Sequence, residues 1–344
     1  MKVLVVGDSY MPPRYFAQAF SAVEAEHDVE YVQVDAGRTF DPTSPSELRL
    51  REYQGTPAEL VERMPGADVL VVQGAPVTDE VLDASPQLRL VCCARGGPVN
   101  VDVDAVTARG LPLVNTPGKN AEAVADLTLA FLVMLARGLP KAQRFLREGN
   151  QLRDNWEGAR FIGSDLRRHV LGLVGYGQIG HRVAERAVPF GLHILAYDPF
   201  APVEPPAMRV ASLGELLERS DFVSLHARAT KENAELFDAA AFAKMKPGAF
   251  FVNTARETLV DEDALDAALE SGHLGGAALD VVHATEGGGR HRLLRHETVV
   301  MTPHLGGATH ETLLQGAEMI AEEILRFAAA QPLVNVLNRE AVAA

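Results

Sequence analysis

The run Gly175-Tyr176-Gly177-Gln178-Ile179-Gly180 is a G-x-G-x-x-G pattern between the apolar stretch Val170 to Val174 and a helix-like segment, Ile179 to Ala187. Gly175 permits a tight strand-to-helix turn, Gly177 lets a backbone approach a pyrophosphate, and Gly180 lets helix and strand pack closely. The free N–H groups and positive dipole end of that helix then face the phosphates. Any glycine-rich turn can match such a pattern, so the context matters. A second apolar run, His193 to Tyr197, ends at Asp198, 18 residues past Gly180, where a carboxylate would accept the two ribose hydroxyls of a dinucleotide. Nothing basic lies between Pro199 and Met208 to meet a 2′-phosphate, so the pattern points to NAD rather than NADP.

Three later segments also end apolar runs with polar residues: Val252-Asn253-Thr254-Ala255-Arg256, Ala278 to Glu286, and Thr302-Pro303-His304-Leu305-Gly306-Gly307. Ligands of open α/β sheets sit beyond the carboxyl ends of the strands, which places Arg256 toward the cofactor crevice. A guanidinium there can grip a carboxylate through two parallel hydrogen bonds, although a surface arginine capping a loop is the plainer account. Imidazole titrates near neutral pH, so His304 is a candidate acid/base, and a carboxylate such as Glu286 would favour its protonated form. With eleven histidines in the chain, His304 stands out only because it shares a strand-end address with Arg256 and Glu286.

The elements that must position these residues follow one pattern. Apolar strand-like runs alternate with helical ones from end to end, as in parallel sheets covered by helices. The first set is Val3 to Gly7, Val29 to Val34, Asp68 to Val72, Leu88 to Cys93 and Leu111 to Asn115; a polar stretch between Ala36 and Pro57 reads as a surface loop with some helix at Ser46 to Glu52. The second set, beginning near residue 100, has six strands: Val170 to Val174, His193 to Tyr197, Phe222 to Leu225, Phe250 to Asn253, Gly276 to Asp280 and Thr298 to Met301. Between the sets, Asn120 to Leu139 carries an apolar helical face that stops at Pro140, as a core helix or a subunit contact. The final helix, Thr309 to Ala329, and the run Leu333 to Leu337 have no partner strand left in the second set and are expected to return to the first.

Composition bounds the class. At 344 residues and 47% apolar content, two ordinary domains can each bury a core. A formal net charge of −14 disfavours nucleic acid and anionic membrane as partners. No apolar stretch is long enough to span a bilayer, and Met1-Lys2 runs directly into a strand, leaving no room for a signal peptide. The adjacent Cys92 and Cys93 suit neither an ordinary disulfide nor a metal site. A cytoplasmic protein without a bound metal is the expectation.

Taken together, Gly175 to Gly180 with Asp198, Asn253 to Arg256, Gly276 to Val281, Pro303-His304-Leu305-Gly306, Asn100-Val101-Asp102, and Val114 to Gly118 leading into Val124-Ala125-Asp126-Leu127 resemble the D-isomer-specific 2-hydroxyacid dehydrogenases, in order over nearly the whole chain. The resemblance implies two doubly wound α/β domains: a flavodoxin-like substrate domain, residues 1–100 with 308–344, split around an inserted Rossmann NAD-binding domain, residues 101–307. It also implies a homodimer built around the helix after Asn120. Arg256 matches the substrate-binding arginine and His304 the acid/base. Cofactor contacts would fall on Gly175, Gly177, Gln178, Ile179, Gly180, Asp198, His226, Ala227, Thr254, Asp280 and Gly307. Backbone N–H groups of Gln73-Gly74-Ala75 and Arg95-Gly96-Gly97 would bind the substrate carboxylate.

Four departures stand out. Counting forward from Asp280 places the catalytic acid at Thr285, whereas counting back from His304 places it at Glu286; one extra loop residue reconciles the counts, and Glu286 is the assignment. Gly287-Gly288-Gly289 replaces the usual proline, favouring a more flexible loop. Arg95 stands where small residues are commoner, as either a second anion contact, favouring a phosphorylated or dicarboxylic substrate, or an outward-facing arginine. Glu257 replaces the customary glycine after Arg256 and would weaken carboxylate binding if it faced inward. The resemblance implies hydride transfer between NAD and C2 of a 2-hydroxy or 2-oxo acid, with domain closure about hinges near Asn100 and Ala308. The alternative is an NAD(H)-sensing binding protein of the same fold, similar to the C-terminal-binding corepressors. Which acid is the substrate is not legible.

Overall fold

The computed structural model describes residues 1–34, 42, 44–151, 157–285 and 288–341. The chain divides into two compact units, Met1–Lys119 with Thr309–Ala344, and Asn120–Ala308.

The first unit holds β1 (Lys2–Gly7), β2 (Asp28–Gln33), β3 (Val69–Val72), β4 (Leu90–Cys93) and β5 (Leu113–Val114). They form one sheet in the order β2-β1-β3-β4-β5, with every pair parallel. Near-continuous Val and Leu runs suit strands covered on both faces. One face packs on Phe16 and Phe20 and on Leu313, Ala317, Ile320 and Ile324 of the long helix His310–Ala328. The other packs on Leu60, Val81, Leu82 and Val106.

The chain beyond that helix returns to this unit as expected. Buried Glu323 accepts from the backbone N–H groups of Val334 and Asn335, and Asn338 accepts from the Leu113 N–H at 2.8 Å. Because β5 completes this sheet, the units separate at Lys119/Asn120 rather than at 100/101, and at Ala308/Thr309 rather than at 307/308. Only a short 3-10 turn, Glu47–Arg49, forms where a helix over Ser46 to Glu52 was expected; residues 35–41 and 43 of that loop lie outside the described residues.

The second unit holds β6 (Val170–Val174), β7 (His193–Tyr197), β8 (Met208–Arg209), β9 (Phe222–Leu225), β10 (Phe250–Asn253), β11 (Gly276–Leu279) and β12 (Val299–Met301). The sheet order is β12-β11-β10-β9-β6-β7-β8, all parallel. The chain reverses its direction of winding between β6 and β9, the switch point where such folds bind nucleotides. β8 makes a seventh strand where six were expected; two residues are too few to show a period of two.

The helix Ala121–Ala136 buries Ala125, Leu129, Phe131, Leu132 and Leu135 in this unit's own core. Glu122 pairs with Arg182 and Arg186 of the helix Gln178–Ala187, and Asp126 pairs with Arg186 at 2.6 Å. Gly138, with φ of 59°, terminates it; Pro140 instead lies in the first turn of the next helix, Leu139–Arg147, where no N–H is needed. No single helix among the described residues is long and apolar enough to cross a membrane.

Candidate active site

Gly175 adopts φ of 94°, and a Cβ there would come within 2.7 Å of the His226 carbonyl carbon and the Ala227 nitrogen. The glycine thus lets the turn lie against the end of β9. A Cβ on Gly180 would meet the Gly175 oxygen at 2.4 Å, whereas a Cβ on Gly177 would meet nothing within 4 Å, leaving open space above the turn. The helix Gln178–Ala187 has no side-chain N-cap, and its first intrahelical bond comes from the His181 N–H to the Gly177 carbonyl. Its first N–H groups, on Gln178, Ile179 and Gly180, are therefore available to a phosphate. These features fit a dinucleotide.

Asp198 ends β7. Its Oδ2 accepts from the Tyr176 N–H at 2.8 Å, and its Oδ1 accepts from the Phe200 and Ala201 N–H groups, each at 2.8 Å. Burial alone would raise this carboxyl, but the three N–H donors and nearby Arg209 outweigh it and hold it below its usual range. A carboxylate has about four lone-pair sites, so about one remains, on Oδ2. In this arrangement one acceptor position is left for a ribose hydroxyl. Arg209, the residue after Met208, donates to the Asp198 carbonyl oxygen at 3.2 Å.

His226 follows β9. Its Nε2 lies 2.9 Å from the Ser224 hydroxyl, while its Nδ1 is buried without a partner. Burial pushes the imidazole down to about 3, so it is neutral. Thr254, at the end of β10, is buried with its hydroxyl 3.3 Å from that of Thr128, whose own proton goes to the Val124 carbonyl. Thr254 is therefore the donor of that pair.

Arg256 is exposed, and its Nη1 donates to the Ala255 carbonyl at 2.6 Å. Among the described residues it forms no ion pair, with Glu257 or any other carboxylate, so within them the guanidinium is open to an anion. Asn253, 1% exposed, shapes its turn: the side chain donates to the Arg256 carbonyl at 3.0 Å and accepts from the Ala255 N–H at 2.9 Å. That supporting role was not apparent in the sequence, where Asn253 was simply the end of an apolar run.

His304 has φ of 57°, a left-handed backbone costing a non-glycine residue about 1–2 kcal/mol. Asp280, at the end of β11 and 3% exposed, supports it. Its carbonyl accepts from the His304 N–H at 3.0 Å, its Oδ1 from the Thr302 hydroxyl at 2.5 Å and the Leu305 N–H at 2.7 Å, and its Oδ2 from the Gly306 N–H at 2.8 Å. Only glycine fits at 306, since a Cβ would lie 2.9 Å from Asp280 Oδ2. Asp280 thus serves the His304 loop with both carboxylate oxygens, a use its expected cofactor role did not include. Among the described residues none hydrogen-bonds the His304 imidazole. Glu286, its expected partner, lies outside the described residues. Gly307 lies against Asn120, with a Cβ 3.2 Å from its side chain.

In the first unit, the predicted carboxylate loops follow β3 and β4. The Gly74 N–H is already engaged, donating to buried Asp8 Oδ2 at 2.7 Å, which corrects its assignment as a substrate donor. Gln73 is buried; no described residue accepts from the N–H groups of Ala75, Gly96 or Gly97. Arg95 is neither free nor outward-facing: it pairs with the Glu52 carboxylate at 2.6 Å and with the Glu52 carbonyl at 2.9 Å.

Residues 129–306 match the family model described as D-isomer specific 2-hydroxyacid dehydrogenase, NAD binding domain. The D-3-phosphoglycerate dehydrogenase of Mycobacterium tuberculosis is 42% identical over 270 residues, which cover 77% of this chain and 50% of that protein. The chain therefore spans about half the length of that relative. The glyoxylate reductase of Korarchaeum cryptofilum is 37% identical over 302 residues, covering 86% of this chain and 91% of that protein. The solved structure of Rhodotorula graminis D-mandelate dehydrogenase matches with a TM-score of 0.79 and 30% identity, over 97% of each chain. With its glycine turn, Asp198, Arg256 and His304 all inside the matched region, this chain belongs to the D-isomer-specific 2-hydroxyacid dehydrogenase family and carries that family's NAD-binding domain.

Proposed function

We propose that this chain is an NAD-dependent oxidoreductase acting at C2 of a D-2-hydroxy or 2-oxo acid. The observation that carries the reading is the set gathered at the carboxyl edge of one parallel sheet: a helix start with free N–H groups, an arginine open to an anion, and a histidine held in a left-handed turn. When bound, the nicotinamide supplies or accepts a hydride at C4. Gly175, Gly177, Gln178, Ile179 and Gly180 hold the pyrophosphate, Asp198 one ribose hydroxyl, and His226, Ala227, Thr254 and Gly307 line the cofactor's course. Arg256 binds the substrate carboxylate and polarises the C2 carbonyl. His304 delivers a proton to the forming alkoxide, and Glu286 keeps that imidazole protonated. In the first unit, Ala75, Gly96 and Gly97 offer N–H groups to the carboxylate, with Gln73 and Arg95 shaping the loops.

The same reading includes a homodimer through the helix after Asn120 and a cytoplasmic location. Exposed Leu139, Leu146 and Ile162, which follow that helix, supply apolar surface for a second copy. The corepressor-like alternative is not favoured, because the relatives matched are named as dehydrogenases and a reductase. An NADH-oxidation screen over 2-oxo acids tests the activity, and light scattering on the purified chain tests the dimer. Tight NADH binding with no turnover of any 2-oxo acid would return the reading to a sensor.

A further inference from the structure

Lys119 closes the turn Asn115-Thr116-Pro117-Gly118-Lys119 that follows β5, and only 9% of its surface is exposed. An ammonium has three protons to donate. This one donates to the Ala94 carbonyl at 2.6 Å and has no other partner among the described residues, carboxylates included. Gly316 on the helix His310–Ala328 makes room for it: a Cβ there would lie 2.9 Å from Lys119 Cδ and 3.2 Å from Nζ. On the same turn, the Thr116 hydroxyl is fully buried and has no partner among the described residues. The Thr116 N–H bonds the Arg95 carbonyl at 3.0 Å, which ties this turn to the loop carrying the free amides of Gly96 and Gly97.

Buried polar groups without partners are uncommon, and a buried ammonium without a counter-charge is costly. No carboxylate among the described residues forms an ion pair with Lys119. Burial lowers it to about 8, with Cys93 and Asp8 opposing that shift and Arg95 adding to it. Burial raises Asp8, whose carboxylate already accepts from the N–H groups of Tyr10, Met11 and Gly74. Burial likewise pushes the Cys93 thiol up to about 11, and Arg95 is paired with Glu52. A buried ammonium with a single hydrogen-bond partner and, three residues before it, a buried hydroxyl with none among the described residues therefore share one turn at the carboxyl end of a parallel sheet, where ligands of such folds bind.

We infer that Lys119 and Thr116 bind a second anionic group of the substrate, a phosphate ester or a second carboxylate, beside the amides assigned to its C1 carboxylate. The substrate class is then a 2-hydroxy or 2-oxo acid with two anionic groups. The word substrate rests on the proposed activity; the anion site does not. It also transfers to Lys119 the anion-binding role considered for Arg95, whose charge Glu52 already answers.

The test compares phosphohydroxypyruvate with hydroxypyruvate, and 2-oxoglutarate with 2-oxobutyrate, in NADH oxidation by the full chain and by Lys119→Met. The wild type should favour one dianionic acid over its monoanionic counterpart by about 10- to 100-fold in kcat/KM, the worth of a hydrogen bond to a charged group. The pair that shows the preference identifies phosphate or carboxylate. Lys119→Met should bring that ratio near one, mainly through KM, with NADH affinity retained as evidence of folding. A ratio unchanged in Lys119→Met, or absent in the wild type, overturns the inference. Calorimetric titration of wild type with inorganic phosphate and with succinate stands apart from turnover. If no 2-oxo acid is reduced, the activity fails, while binding of either anion that is lost in Gly316→Ala still supports the site and binding of neither refutes it.

Discussion

Replacing Asp280 separates two accounts of that residue, as an anchor of the His304 loop or as a cofactor contact. Its carboxylate accepts three hydrogen bonds, from Thr302, Leu305 and Gly306, and it is 3% exposed. Hydrogen bonds to a charged group are worth about 1.5–3 kcal/mol each, or roughly 4.5–9 kcal/mol for three. Thr302 and Leu305 lie partly in solvent and regain water in a variant, whereas the Gly306 N–H does not. A net loss of about 3–5 kcal/mol in loop stability follows for Asp280→Ala. That exceeds the roughly 1–2 kcal/mol held in the left-handed backbone of His304, so the loop should relax and carry the imidazole away. Displacement of a catalytic group by about 1 Å costs about 100-fold. Asp280→Asn keeps one acceptor oxygen but sets an amide N–H against an N–H donor of the loop, and should have a similar, milder effect. Steady-state NADH oxidation gives kcat, and quenching of protein fluorescence gives NADH affinity. The expected outcome is kcat down about 100-fold in Asp280→Ala with NADH affinity within about threefold. Near-wild-type kcat together with NADH affinity weakened tenfold or more would refute the anchor account and restore the cofactor role.

His304→Ala should lower turnover by about 10²- to 10⁴-fold while sparing NADH binding, and unchanged turnover would remove it from the mechanism. Asp198→Ala should weaken NAD more than NADP, because the lost acceptor serves a hydroxyl that NADP lacks; equal losses measured by titration with both cofactors would contradict the ribose assignment. His226 has its folded-state value depressed from 6.5 to about 3 by burial, so below pH 6.5 the unfolded chain takes up a proton that the folded chain refuses. Its stabilising contribution is complete above pH 6.5 and is lost as pH falls toward 3; urea unfolding between pH 7 and 4 should show a shallower acid loss for His226→Phe, and identical slopes would argue against a neutral buried imidazole.

Much of this protein was legible in order along the chain. Fully buried parallel strands demand long apolar runs, and helices between them demand a different period, so eleven of the twelve strands among the described residues were visible before any contact was known. The glycine turn was equally plain, because φ of 94° at Gly175 and the 2.4 Å clearance behind Gly180 admit no side chain. β8 escaped because two residues carry no period; the strand Leu111 to Asn115 was read with the first set, and its pairing with β4 carries the break on from residue 100 to Lys119.

Local sequence by itself determined the alternation of elements, the nucleotide turn, and the strand-end addresses of Arg256 and His304. Those depend on steric and hydrophobic rules that act over a few residues. Only tertiary structure decided how the polar groups are satisfied. Asp280 and Gly306 are 26 positions apart, Asp8 and Gly74 are 66, and Arg95 and Glu52 are 43. Each buried donor or charge must find its partner in space, and no window along the chain reveals which partner that is. The same accounting leaves Lys119 with one acceptor for its three protons and the Thr116 hydroxyl with no partner among the described residues.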